Sequence, residues 1–271
     1  MVSASVAGSA ALGTDLASIQ VYWNTHLHDA QLARHPVGTA AFFSELDAYR
    51  YDKLRYLAPL LDAPHLRDKC LLEIGCGLGI DLVRLARSGA VVTGVDLAPA
   101  AVDLARANLT QHGLAGDVYV MNGEALDIPD NSFDVVYAHG VLPYTADPGM
   151  LLREAHRVLR PGGQAIVMAY NGHSWLSLMS GLTRVSLEHA DAPVLRTHTA
   201  REFHHQLSQF NRVRIVPERF PVRTRLHSGL KAQLYNTLFV GMFDRLPKWL
   251  VRPLGWHLMA FAGKLPARQT A

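Results

Sequence analysis

Glycine recurs at every second position in Gly75-Cys76-Gly77-Leu78-Gly79, directly behind the apolar run Leu71-Leu72-Glu73-Ile74. A turn of that kind reaches backbone angles closed to other residues, and without Cβ atoms in the way a bulky small molecule can lie against the main chain. Asp96 closes the next apolar run, where a carboxylate can accept hydrogen bonds from both hydroxyls of an adenosine ribose. Together they imply a nucleoside site. NAD would satisfy the same pair, but the dinucleotide pattern calls for glycine three positions after Gly77. Ile80 stands there, followed by Asp81, an acid unfavourable beside a pyrophosphate. A phosphate-free nucleoside suits the turn better.

The elements that must position these residues are legible as alternating patterns. Short apolar runs at Cys70–Ile74, Val91–Asp96, Asp117–Met121, Phe133–Ala138, Gln164–Tyr170, Val213–Pro217 and His257–Ala262 predict seven strands in one largely parallel α/β sheet. Between them, Leu82, Leu85 and Ala86 share one helical face, as do Leu151, Leu152, Ala155, Val158 and Leu159, so helices should cover the sheet. Pro161-Gly162-Gly163 is read as a helix stop and turn with no chemistry of its own. Three pieces lie outside the alternation: a helical leader from 18 to 67, a segment from 171 to 199 and another from 221 to 254, the last two read as lid or substrate insertions after the fifth and sixth strands. The organisation expected is therefore a loose tail over 1–17 and one domain over 18–271, with its cofactor-binding core at 70–170.

The totals narrow the function classes. A chain of 271 residues with 49% apolar and 18% charged residues has the composition of an ordinary globular enzyme. The net charge of +3 gives no polyanion-binding surface, so nucleic acid is not an expected partner. Cys70 and Cys76 flank the glycine turn, where a mutual disulfide would distort it; together with a small-residue N-terminus that lacks a signal-peptide layout, this suggests a cytoplasmic protein. No apolar run is long enough to span a membrane. The stretch from Pro221 to Leu254 interleaves Leu230, Leu234, Leu238, Phe239, Met242, Phe243, Trp249 and Leu250 with basic residues; an amphipathic cap, an acceptor pocket and peripheral contact with an anionic bilayer all remain open for it. Among fourteen histidines, His26-x-His28-Asp29 and His204-His205 do not share a face with further ligands, so no metal is expected. Glu188-His189 and Glu218-Arg219 are read as surface ion pairs first, with cap orientation or substrate binding as the alternative. Oligomeric state leaves no mark.

In order along the chain, Glu73-x-Gly75-x-Gly77-x-Gly79, Val95-Asp96-Leu97, Gly123-Glu124-Ala125-Leu126, Ser132-Phe133-Asp134-Val135-Val136 and Arg157-Val158-Leu159-Arg160-Pro161-Gly162-Gly163 resemble the class I S-adenosylmethionine-dependent methyltransferases, especially the branch acting on quinones, sterols and small metabolites. The resemblance covers roughly Leu71 to Met168 and implies a doubly wound, Rossmann-like sheet. It also implies S-adenosylmethionine as cofactor, S-adenosylhomocysteine as product and a small, partly hydrophobic acceptor. By the same resemblance, Gly75, Cys76, Gly77 and Gly79 shape the methionine and ribose pocket, Glu73 orients the sulfonium amino acid and Asp96 holds the ribose. Leu97 flanks the adenine, with Gly123 and Glu124 in the loop beside it. Asn122 stands where family members usually carry an Asp that meets the adenine amino group, and its amide oxygen can accept the same hydrogen bond. His139 is expected over the methionyl end, and the leader, with Tyr22-Trp23 and Arg50-Tyr51, either folds over the cofactor or packs on the core.

Methyl transfer is an in-line displacement that depends chiefly on alignment, so a general base is optional. The candidate acid–base or orienting groups are His139, Tyr144 and His173, each after a C-terminal strand end. Two further readings stay open: an NAD-linked oxidoreductase, and a partner protein that binds the cofactor without turnover.

Overall fold

The computed structural model describes residues 16–27, 29–183, 189–221, 237 and 240–267. The strands are β1 Cys70–Ile74, β2 Val91–Asp96, β3 Asp117–Val120, β4 Phe133–Ala138, β5 Leu159–Asn171, β6 Thr197–His198, β7 Asn211–Glu218 and β8 His257–Gly263. They form one eight-stranded sheet in the order β3-β2-β1-β4-β5-β8-β7, with β6 paired to the end of β5. Strands β1 to β5 run parallel, β8 is antiparallel to β5, and β7 is antiparallel to β8. The sixth long strand, β7, therefore runs in the common direction. The two-residue β6 is the addition to the seven strands expected.

Helices α4 Ile80–Arg87 and α5 Pro99–Gln111 connect β1, β2 and β3, and α6 Pro148–Val158 leads from β4 to β5. Each start has a local cause. Gly79 caps α4 in the left-handed region (φ 71°), Pro99 opens α5, and the Asp147 side chain accepts from the Met150 amide at the head of α6. Gly79 also permits a close helix crossing, because a Cβ there would come within 3.0 Å of the Ala105 Cα in α5. Buried side chains fill both faces of the sheet, one cluster around Leu71, Leu82, Val92, Tyr137 and Met259, the other around Leu72, Val95, Val136, Leu152 and Val167.

Pro161-Gly162-Gly163 is not a free turn. The chain passes from α6 directly into β5 at Leu159, and between the pairs Phe133↔Leu159 and Val135↔Gln164 strand β4 advances fewer residues than β5, so this tripeptide bulges within the strand. Gly163 is needed there, since a Cβ would meet the Arg160 and Asp134 carbonyls at 2.9 Å.

The leader is helical: α1 Leu16–Thr25, α2 Ala40–Lys53 and the short α3 Leu57–Leu61. Gln20 Nε2 donates to the Leu97 carbonyl at 2.8 Å and Asn24 Oδ1 accepts from the Ala100 amide at 3.1 Å, which ties α1 across the turn after β2. The segment after β5 carries α7 Trp175–Thr183 and then β6, and beyond β6 lies α8 Ala200–Gln206. Arg196 donates from its amide to the Pro143 carbonyl (2.8 Å) and from Nη2 to the Ala146 carbonyl (3.0 Å), so this segment braces the loop after β4. Of the stretch from 221 to 254, Leu230, Leu234, Leu238 and Phe239 lie outside the described residues, as do Glu188 and most of the N-terminal tail. Two short helices, α9 Gly241–Arg245 and α10 Lys248–Val251, are described, and Trp249 on α10 is exposed. No described helix is long and apolar enough to cross a membrane.

Candidate active site

The carboxyl ends of β1 to β5 and β7 open on one cavity, completed by the first residues of β8. This is where open α/β sheets bind ligands. Its nucleoside side is built on β1, β2 and β3. Gly75, Cys76 and Gly77 line it, while Asp96 Oδ2 accepts from the Gly77 amide (2.8 Å) and Oδ1 from the Ala98 amide (2.9 Å). Each oxygen keeps a lone pair for a ribose hydroxyl. A Cβ on Gly77 (φ 51°) would meet nothing within 4 Å: it would stand in the open cradle. Leu97, Ala98, Ala101 and Met121 give the cavity an apolar wall beside Asn122 and Gly123. Asn122 Oδ1, the oxygen expected to accept from the adenine, is already engaged by the Glu124 amide at 3.0 Å, and the amide NH₂ is the outward donor instead. Glu124 is held in place by Thr145 Oγ1 and by the Ala146 amide at 2.7 Å.

Glu73 lies at the centre. It is buried, lines the cavity, and its Oε2 has no hydrogen-bond partner. Burial pushes its carboxyl well above the usual range, and the nearby Asp81 and Asp96 add to the effect. An orphaned, desolvated carboxyl at this place is complementary to a ligand ammonium group.

Asp81 is the hub of the next layer. Arg50 donates to it through Nε (2.6 Å) and Nη2 (2.5 Å), and the hydroxyls of Tyr51 and Tyr137 each donate at 2.8 Å. Burial alone would raise the Asp81 carboxyl, but the charge and hydrogen bonds of Arg50 overcome it and bring it down to about 2. The acid that argued against a pyrophosphate thus anchors the leader to α4.

From Arg50 a polar chain crosses to the far strands. Arg50 Nη2 stands 3.3 Å from His139 Nδ1, and the Tyr56 hydroxyl bridges His139 Nε2 (2.8 Å) and His257 Nδ1 (2.5 Å). Arg219 Nη1 then meets His257 Nε2 at 3.1 Å. Burial holds the His257 imidazole well below its ordinary range, helped by Arg219, His139, Lys53 and Arg50; burial likewise pushes the Tyr56 phenol up. Tyr144 and Tyr170 wall this side with their hydroxyls 3.2 Å apart, and Trp23 packs edge-on to Tyr144 at 4.9 Å.

Most of the residues expected at the site therefore converge: Glu73, Gly75, Cys76, Gly77, Asp96, Leu97, Asn122, Gly123, Glu124, His139 and Tyr144 all line the cavity. Three do not. Gly79 serves the α4–α5 crossing. Tyr22 turns away to donate to Asp191 (3.0 Å) and leaves the cavity to Trp23, its neighbour on the other face of α1. His173 is exposed beyond β5 and is absent from the lining, because Asn171 Oδ1 takes its amide into a turn that points it outward. Arg219 is a correction of another kind: it belongs to the cavity and contacts His257, not a surface partner. Tyr56, Lys53 and His257 escaped sequence reasoning, although a histidine opening an otherwise apolar strand was a usable signal for His257. Among the described residues no cluster could hold a metal.

Residues 72–167 match the family described as a methyltransferase domain. The stretch from β1 into β5 thus has the sequence pattern of a methyltransferase domain. The chain is 35% identical over 108 residues to a ubiquinone biosynthesis O-methyltransferase of Pseudomonas paraeruginosa, covering 39% of this chain and 46% of that protein. It is likewise 35% identical over 155 residues to one from Cereibacter sphaeroides, covering 55% and 59%. It thus spans about half the length of the curated relatives it matches. Its fold is also that of the magnesium protoporphyrin IX methyltransferase of Synechocystis, solved with bound S-adenosylhomocysteine (13% identical, TM-score 0.62, 92% of this chain and 100% of that one). A possible histamine N-methyltransferase of Thermotoga maritima has the same fold (19%, TM-score 0.54, 82% and 96%). The NAD-linked alternative finds no support: a methyltransferase family is matched, and the first turn of α4 carries a buried carboxylate where a pyrophosphate would need a positive end.

Proposed function

We propose that this protein is a methyltransferase that moves the methyl group of S-adenosylmethionine to a small, partly hydrophobic acceptor. The observation that carries the reading is the coincidence, in one cavity, of an open glycine cradle at Gly77, the Asp96 carboxylate beside it and the orphaned Glu73 carboxyl. These suit the ribose, the methionyl backbone and its ammonium group. Leu97 and Met121 suit the adenine faces, Asn122 its polar edge, and Arg50 supplies positive charge near Glu73 for the methionyl carboxylate. The cofactor, when bound, supplies an electrophilic methyl on a sulfonium.

The chain's own task is alignment and exclusion of water. Trp23, Tyr144, Met168 and Tyr170 give the acceptor an apolar, aromatic seat, and well-aligned systems gain roughly 7–11 kcal/mol from orientation alone. Where the acceptor is a hydroxyl, His139 is the nearest candidate to take its proton. Both its ring nitrogens already have neighbours, Arg50 and Tyr56, so a hydroxyl would have to displace one of them to give up its proton there. A cytoplasmic enzyme that works as one unit on a metabolite, without nucleic acid, is the setting that charge and composition favour.

Titration calorimetry with S-adenosylhomocysteine tests the cofactor reading: the expected result is saturable one-site heat, and a folded protein giving none overturns it. Transfer of labelled methyl into a metabolite extract tests turnover. Binding without any labelled product would favour a non-catalytic cofactor-binding protein.

A further inference from the structure

The polar row that crosses from Arg50 to Arg219 carries one hydrogen more than it has places for. A guanidinium donates and never accepts, so the imidazole nitrogen at each end must accept: His139 Nδ1 from Arg50 Nη2 at 3.3 Å and His257 Nε2 from Arg219 Nη1 at 3.1 Å. Each neutral ring then carries its proton on the other nitrogen, aimed at the Tyr56 hydroxyl, which stands 2.8 Å from His139 Nε2 and 2.5 Å from His257 Nδ1. The phenol brings a hydrogen of its own. Among the described residues its hydroxyl has only the two imidazoles to give it to, so one contact must yield.

Burial and geometry decide which. Burial pushes the Tyr56 phenol up, so the hydroxyl keeps its hydrogen, and it holds His257 well below its ordinary range, so that ring stays neutral. The Arg219 end is held: its backbone is left-handed at φ 58°, and its carbonyl accepts from Trp175 Nε1 at 2.9 Å and from the Trp256 amide at 3.3 Å. The Arg50 end is the weaker one. Its contact with His139 is the longest in the row, and the same Nη2 already gives Asp81 a 2.5 Å bond. Direction is therefore imposed from the far end: Arg219 donates to His257 Nε2, His257 Nδ1 to the Tyr56 oxygen, and the Tyr56 hydroxyl to His139 Nε2. His139, which lines the cavity, is left with its proton on Nδ1.

Resting on the methyltransferase reading, we infer that Arg219, His257 and Tyr56 are positioning residues that fix His139 as a hydrogen-bond donor, and that His139 Nδ1 holds an oxygen of the acceptor and takes no proton from it. With a hydrogen on that nitrogen, His139 is in the wrong tautomer for a general base there. A hydroxyl acceptor then reacts after losing its proton to water. Its oxygen lone pair forms the new C–O bond, the S–CH₃ electron pair stays on sulfur, and the negative and positive charges cancel with no proton for the protein to place. A donor at this wall favours the ionised oxygen over the neutral hydroxyl.

The test reads the tautomer directly. In the full chain with isotope-labelled histidine, at neutral pH and both with and without S-adenosylhomocysteine, ring-nitrogen NMR should show His139 and His257 each with its proton on Nδ1. Tyr56→Phe removes the donor at Nε2 and leaves Arg50 donating at Nδ1, so His139 should switch to the Nε2–H form, whereas a merely structural Tyr56 would leave the tautomer as it was. The unmodified chain decides even where that variant does not fold. The consequence is read with 4-nitrophenol, whose anion is coloured, titrated into the chain saturated with S-adenosylhomocysteine. The bound probe should ionise about tenfold more readily than the free one, and Tyr56→Phe should abolish the difference. An Nε2–H or doubly protonated His139 in the unmodified chain, a tautomer unchanged in folded Tyr56→Phe, no binding of the probe at millimolar concentration, or a bound probe no more ionised than the free one would overturn the inference. Failure of S-adenosylhomocysteine to bind the unmodified chain would instead fall on the methyltransferase reading.

Discussion

The two sides of the cavity are built differently. On the β1–β3 side the functional groups sit at consecutive strand ends and are positioned by neighbours close in sequence, as when Asp96 accepts from the Ala98 amide two residues on and from Gly77 across one βαβ unit. On the β4–β7 side the contacts are long-range: the Tyr56–His257 hydrogen bond joins residues 201 positions apart, and His139 meets Tyr56 across 83. The first side is a module that any chain with these strands can carry. The second exists only when leader, core and the last strand pair are assembled, which makes it the part free to vary with the acceptor.

Asp81, where the two sides meet, is the point at which this contrast can be broken hardest. Asp81→Ala leaves Arg50 buried without its counter-charge and the Tyr51 and Tyr137 hydroxyls without their acceptor, so a loss of about 3–5 kcal/mol is expected in urea unfolding. A loss below about 1 kcal/mol would mean that the leader is not anchored there. The carboxyl titrates lower in the folded chain than in the unfolded one, so its stabilisation is complete above about pH 4 and is lost as pH falls toward about 2.

On the local side, Asp96→Ala should weaken S-adenosylhomocysteine binding by about 10²-fold, the value of two hydrogen bonds to a charged acceptor, without abolishing folding. Unchanged affinity in calorimetry would remove the ribose assignment. The glycines sharpen the point. Gly77→Ala puts a methyl into open cavity and should cost affinity more than stability, whereas Gly79→Ala presses on the Ala105 backbone and should cost about 1–3 kcal/mol of stability with a smaller effect on affinity. Thermal melts and titrations of both proteins would show the reverse pattern if the roles were exchanged.

The smallest effect belongs to the assembled side. Because burial depresses the His257 pKa, the unfolded chain takes up a proton below about pH 6.5 that the folded chain refuses, and stability declines on acidification by up to ~1.4 kcal/mol per pH unit from this residue. His257→Gln should flatten the decline between about pH 6.5 and pH 5 in denaturant titrations. An unaltered slope would show that His257 is protonated in the fold and that the chain to Arg219 is not formed.

Alternation of apolar runs and the glycine turn were sufficient to read β1 to β5, the last strand pair and the strand ends that bring Gly75, Gly77 and Asp96 to the cavity, because strand period, turn geometry and helix capping act within a few residues. His173 misled, since a place after a C-terminal strand end does not decide which way the next turn points. Tyr22 misled for a similar reason: in Tyr22-Trp23 the sequence offers two aromatics, and only packing against Tyr144 selects Trp23. What the tertiary structure alone decided is the far wall. The reversal of β8 brings His257 to the same edge as His139, the leader lays Tyr56 between them, and the left-handed backbone at Arg219 completes the row. Such contacts follow from the closure of long loops around a finished sheet, and no local pattern in the chain encodes them.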